Sequence, residues 1–130
     1  MPKETLYKNM LNHLQWDIDL DFLIQFDDID KLKILNKMLT RDRVSSHFDS
    51  EKYKQFILKF YYDQLFNDVY NDYIAENKSR YAAPSLDHIV PLSKGGTWEL
   101  DNLQVLNWVV NRAKCDFLHD EWEYIKNKYF

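Results

Sequence analysis

Apolar positions recur at helical spacing through most of the first 77 residues. Leu6, Tyr7, Met10, Leu11 and Leu14 share one face of a helix predicted over residues 4–15, with Thr5 near its start. The period then changes. Trp16, Ile18, Leu20, Phe22, Ile24 and Phe26 alternate with polar positions that include Asp17, Asp19 and Asp21, which fits an extended piece or a short helix from Asp19. Asp27 and Asp28 can cap a helix running to about Thr40, with Ile29, Leu32, Leu35 and Leu39 inward and lysines outward. Residues 41–49 form a polar connector. A long helix is predicted from about Ser50 to Asn77. Its stripe of Tyr53, Phe56, Ile57, Phe60 and Tyr61 passes to Phe66, Val69, Tyr70, Tyr73 and Ile74 after a slip of phase at Gln64–Leu65 that allows a bend or break.

Beyond residue 77 the pattern shortens. Residues 78–85 (KSRYAAPS) are a small-residue connector, and Pro84 disfavours helix at Ala83. Leu86–Leu92 alternates weakly between prolines and predicts a short strand. Lys94-Gly95-Gly96 turns the chain, and Trp98–Leu106 returns as a second strand or extended loop. Helices are predicted from about Leu106 to Cys115 and from His119 or Asp120 to Phe130. With only two Gly and three Pro, the expected class is mainly α (α+β). The expected organisation is a single domain over 1–130: a helical scaffold at 1–78, a strand–strand–helix motif at 79–116 and a C-terminal helix at 117–130.

Composition narrows the function classes. Apolar residues are 45% and aromatics 16%, enough for one core. No apolar run approaches the roughly 18 residues of a membrane span. The opening MPKETLYKNM lacks the apolar core of a signal peptide, so a cytoplasmic protein is expected. The single cysteine, Cys115, excludes an internal disulfide and a zinc knuckle. The net charge of −4 does not advertise nucleic-acid binding, yet residues 77–130 hold 7 basic and 7 acidic residues, while residues 1–76 hold 10 and 14. Lys31, Lys33, Lys37, Arg41 and Arg43 crowd one segment, either as a solvated face or as a phosphate-contacting one. The Asp17-x-Asp19-x-Asp21 spacing resembles the start of a calcium loop. Phe22 and Asp28 stand where such a loop needs Gly and Glu, which favours solvated acids beside a buried stripe.

The stretch from Leu86 to Lys114, LDHIVPLSKGGTWELDNLQVLNWVVNRAK, carries the candidate chemistry. A neutral His88 can take a proton from water near pH 7. Asp87 is its neighbour, and on a strand adjacent side chains point to opposite faces, so the two need not share a role. Asn111 offers a hard amide oxygen on a helix. An Asp with an Asn is a thin ligand set that leaves positions for water and substrate phosphate, the manner in which Mg²⁺ is usually held. Arg112, Lys114 and Lys94 are either solvated residues or phosphate contacts.

These residues, in this order, resemble the HNH endonuclease motif of the ββα-metal fold. The matching pieces are Leu86–Ser93, Gly95-Gly96, Asp101–Leu106 and Asn111–Lys114, about a quarter of the chain. The resemblance implies that His88 is the general base, that Asp87 and Asn111 hold one divalent cation (Mg²⁺, with Mn²⁺ as a substitute), and that Asn102 holds the loop between the strands and orients the histidine. It implies hydrolysis of DNA phosphodiester bonds, double-stranded DNA being the expected substrate, by nicking or double-strand cleavage. The acting form would be a monomer or homodimer. Many relatives carry two Cys-x-x-Cys pairs for structural zinc. This chain has none, so it resembles a zinc-free, phage-like member, and Trp98, Leu103, Leu106, Trp108 and Val109 are expected to pack in their place. The alternatives are a catalytically inactive HNH-fold module that binds nucleic acid or protein, and a helical interaction protein with a chance motif.

Overall fold

The computed structural model describes residues 2–40, 44–115 and 117–129, with Tyr129 described in its backbone alone. Arg41 and Arg43 of the basic segment lie outside the described residues. The chain is mainly helical with one two-stranded antiparallel sheet. It gathers into two compact units, divided between Tyr62 and Asp63.

The first unit contains α1 (Lys3–Leu11), α2 (Leu20–Ile24), α3 (Ile29–Thr40), a 3₁₀ turn (Val44–His47) and α4 (Ser50–Phe60). Of the two readings of residues 16–26, the short helix holds. Asp19, in extended conformation, stands at the N-terminus of α2, and Asp17, Asp19 and Asp21 are exposed. Asp28 accepts from the backbone amides of Asp30 (3.1 Å) and Lys31 (3.2 Å), and so caps α3. Leu32, Leu35 and Leu39 are fully buried with Leu23, Phe26, Phe56 and Ile57. Each such side chain contributes about 1.5–3 kcal/mol relative to exposure. Buried polar tips are satisfied locally: Tyr7 donates to the Phe26 carbonyl, Tyr53 to Asn36 Oδ1, and Trp16 Nε1 to the Phe48 carbonyl at 3.0 Å. Lys33 and Lys37 are exposed as expected, whereas the Lys31 ammonium lies over the Tyr61 ring, 4.3 Å from its centre.

The second unit contains α5 (Gln64–Ala75), β1 (Pro84–His88), β2 (Leu103–Asn107), α6 (Trp108–Lys114) and α7 (His119–Tyr129). The long helix expected over residues 50–77 is thus two helices. The break falls at the slip of phase, where Asp63 leaves helical geometry and its carboxylate accepts from the Phe66 amide at 2.9 Å. The division between the two compact units falls at this break, so α5 is grouped with the hairpin. The physical reason is packing: α5 lies against both strands, with Phe66 and Tyr70 buried, and so belongs to the hairpin it supports.

Strands β1 and β2 pair in the register Ser85↔Leu106, Leu86↔Val105, Asp87↔Gln104 and His88↔Leu103. The first strand begins two residues earlier than its alternation predicted and ends at His88. The second begins at Leu103, because residues 89–102 form the connecting loop. The Trp108 amide donates to the Ala83 carbonyl at 2.8 Å and ties the far end of the hairpin to α6. Asn107 caps α6 by accepting from Val110 N at 2.8 Å. Among the residues expected to replace a zinc cluster, Leu103 is buried and Trp98, Leu106 and Trp108 are half-buried. Val109 is 45% exposed and is not part of that packing.

Candidate active site

Ser85 and Asp87 alternate with Leu86 along β1, and both are bonded to residues of α6. The Asp87 carboxylate is 6% exposed. Two donors converge on its Oδ2: Gln104 Nε2 from the opposite strand at 2.9 Å and Lys114 Nζ at 2.7 Å. No described residue donates to Oδ1, which is the atom left for a ligand. Asn111 Nδ2 donates to Ser85 Oγ at 2.9 Å and to the Leu86 carbonyl at 3.1 Å. Both amide hydrogens are therefore committed to β1, which defines the amide's orientation and leaves Oδ1 as its accepting end.

His88 closes the strand. Its ring stands edge-on to Trp98, with centres 4.3 Å apart and planes at 87°. Its carbonyl accepts from Lys114 Nζ at 2.9 Å. Asp87, His88 and Asn111 line one cavity of about 420 Å³, completed by Leu86, Pro91, Leu92, Ser93 and Cys115. Asp87 and His88 thus border the same cavity although they are neighbours on β1, His88 at the strand's last position.

Asn102 lies outside this lining and acts on the loop. Its Oδ1 accepts from Val90 N (2.9 Å), and its Nδ2 donates to the carbonyls of Val90 (3.1 Å) and Thr97 (2.8 Å). Its own carbonyl accepts from Ile89 N at 2.8 Å. One side chain thus ties both shoulders of the 90–97 loop to the foot of β2. The Gly95-Gly96 turn completes the loop. Gly95 has a φ of +90°, and the Gly96 amide donates to the Pro91 carbonyl at 3.0 Å.

The three basic candidates separate. Lys114 is fully buried and spent on Asp87 and on the His88 carbonyl, so the expectation that it meets a phosphate is corrected: its ammonium has no access to a substrate. Arg112 is exposed, and its guanidinium lies over the Trp108 ring at 5.2 Å. Lys94 is exposed at the loop and pairs with Glu121 of α7 at 2.8 Å. That hydrogen bond, with a second from the Leu118 amide, holds the Glu121 carboxyl below its ordinary value. Sequence reasoning missed Ser85 and Gln104, which position Asn111 and Asp87. Neither belongs to a chemical motif, and only strand register and helix packing bring them to the site.

A hard divalent cation fits this donor set: one carboxylate oxygen and one amide oxygen at a half-open cavity with room for water. Among the described residues no group of three His, Cys, Asp or Glu side chains forms a metal cluster. Nor is any helix of the described residues long and apolar enough to cross a membrane. Comparison with protein-family models, with characterised proteins and with solved structures gives no match.

Proposed function

We propose that the chain is a metal-dependent endonuclease of the HNH type, built on a ββα-metal motif, that hydrolyses DNA phosphodiester bonds. The observation that carries this reading is the convergence of Asp87, His88 and Asn111 on one cavity, at the sequence positions where the HNH resemblance expects them. The brace that Asn102 provides to the neighbouring loop supports it further.

In this reading Asp87 and Asn111 would hold one Mg²⁺, which would supply positive charge beside the phosphate and the leaving 3′ oxygen. His88 takes the proton of the attacking water, which then attacks in line. Trp98 fixes the imidazole edge-on, and the Lys114 bond to the His88 carbonyl fixes the backbone beneath it. The product ends are a 5′ phosphate and a 3′ hydroxyl. Arg112 supplies exposed positive charge beside Asn111 for the DNA backbone, whereas Lys94 would have to leave Glu121 to meet a phosphate. One such site cuts one strand, so nicking is the elementary reaction. A double-strand break requires a second encounter or a homodimer.

The test is conversion of supercoiled plasmid to nicked and linear forms with Mg²⁺, with Mn²⁺ and with EDTA. Cleavage that needs the cation is expected. Metal-independent DNA binding without cleavage would instead identify an inactive binding module.

A further inference from the structure

We infer that Lys114 is a built-in counter-ion for Asp87, a positioning residue that keeps the metal-free site intact and competes with the divalent cation for the same carboxylate. This rests on the cation reading of Asp87 given above. A carboxylate 6% exposed is costly to leave charged unless a cation or several donors answer it. The Lys114 ammonium answers it, itself 0% exposed, with its nitrogen 2.7 Å from Oδ2 and 2.9 Å from the His88 carbonyl. Gln104 Nε2 supplies the second bond to the same oxygen at 2.9 Å. The carboxylate is thereby turned so that one oxygen faces the protein and the other is left to a ligand. The arrangement needs no ion to be stable. It also fixes a positive charge beside any cation that uses Oδ1, in a poorly hydrated setting where like charges repel more strongly than in water.

The consequence is opposite in sign to that of an ordinary supporting residue. A residue that merely orients a ligand weakens cation binding when it is removed. Removal of Lys114 leaves the buried Asp87 carboxylate with the Gln104 bond and no counter-charge, so the metal-free protein loses stability while the cation is bound more tightly, by on the order of tenfold. A neutral donor at the same position lies between these extremes.

The experiment is a titration of the full chain with Mn²⁺ alone, without DNA, read by the electron paramagnetic resonance of free Mn²⁺ and by thermal melting. Wild type, Lys114→Met, Lys114→Gln and Asp87→Asn/Lys114→Met are compared. Expected are a lower metal-free Tm in K114M, tighter Mn²⁺ binding in K114M and K114Q than in wild type, a correspondingly larger rise of Tm with Mn²⁺, and loss of the gain in the double variant. Folding of K114M only in the presence of Mn²⁺ gives the same answer, as does binding by the variants alone. If wild type binds Mn²⁺ and both single variants bind it equally or more weakly, the counter-ion role is overturned and the nuclease reading stands. If no form binds Mn²⁺ at millimolar concentration, both fall.

Discussion

Asn102 and Val90 exchange two hydrogen bonds across the loop: the Val90 amide donates to Asn102 Oδ1 at 2.9 Å, and Asn102 Nδ2 donates to the Val90 carbonyl at 3.1 Å. The side chain thus imitates a strand partner where the strand has ended. A third bond, to the Thr97 carbonyl at 2.8 Å, closes the loop. Asn102→Asp retains the acceptor and removes both donor bonds, leaving carboxylate against two carbonyl oxygens. It is expected to cost about 2–3 kcal/mol of stability, read as a lower denaturant midpoint in chemical unfolding. An unchanged midpoint would show that the brace is idle.

Gly96 is required for a different reason. A Cβ there would stand 1.7 Å from the Val90 carbonyl oxygen and 2.9 Å from that of Pro91, both of them backbone atoms with no side chain to move aside. Gly96→Ala therefore forces the loop open, and a loss of about 2 kcal/mol or more is expected. Gly95→Ala meets no atom and pays only for its positive φ, so about 1 kcal/mol is expected. Thermal melting of the two variants separates collision from backbone conformation; equal losses would contradict the distinction.

The roles assigned to His88 and Asn111 differ in what each variant spares. His88→Ala should reduce plasmid cleavage by about 10²-fold or more. Mn²⁺ and DNA binding should be close to wild type, since only the base is removed. Asn111→Ala should weaken Mn²⁺ affinity and cleavage together, because the proposed role makes its oxygen a ligand while its nitrogen anchors β1. Near-full cleavage by H88A would sink the base assignment. Unchanged Mn²⁺ affinity in N111A would remove that side chain from the ligand set.

The helix that backs the hairpin depends on its first residue outside. Asp63 Oδ2 accepts from Phe66 N at 2.9 Å, and the Asp63 carbonyl accepts from Asn67 N at 3.0 Å. Asp63→Ala should cost about 1 kcal/mol. Asp63→Asn, which keeps an accepting oxygen, should cost less, and equilibrium denaturation would rank the two.

Much of the fold can be read from the pattern of residues alone. The helical stripes of Leu32, Leu35 and Leu39 and of Tyr53, Phe56, Ile57 and Phe60 are all buried, and the slip at Gln64–Leu65 marks a real helix end. Such features are local: period, capping and turn chemistry act within a few residues and leave their trace in spacing. The candidate site rests on a resemblance instead: Asp87, His88, Asn102 and Asn111 follow the order of an HNH-like stretch, and Asp87, His88 and Asn111 line one cavity. Tertiary structure alone decided the rest. The fate of Lys114, the pairing of Gln104 with Asp87 and of Ser85 with Asn111, and the allegiance of α5 to the hairpin all join residues that are distant in the chain. A lysine near a helix end reads as a solvated charge until strand register carries a buried carboxylate beneath it. That burial, which depends on how α6 covers β1, turns an apparent surface cation into the internal partner of Asp87.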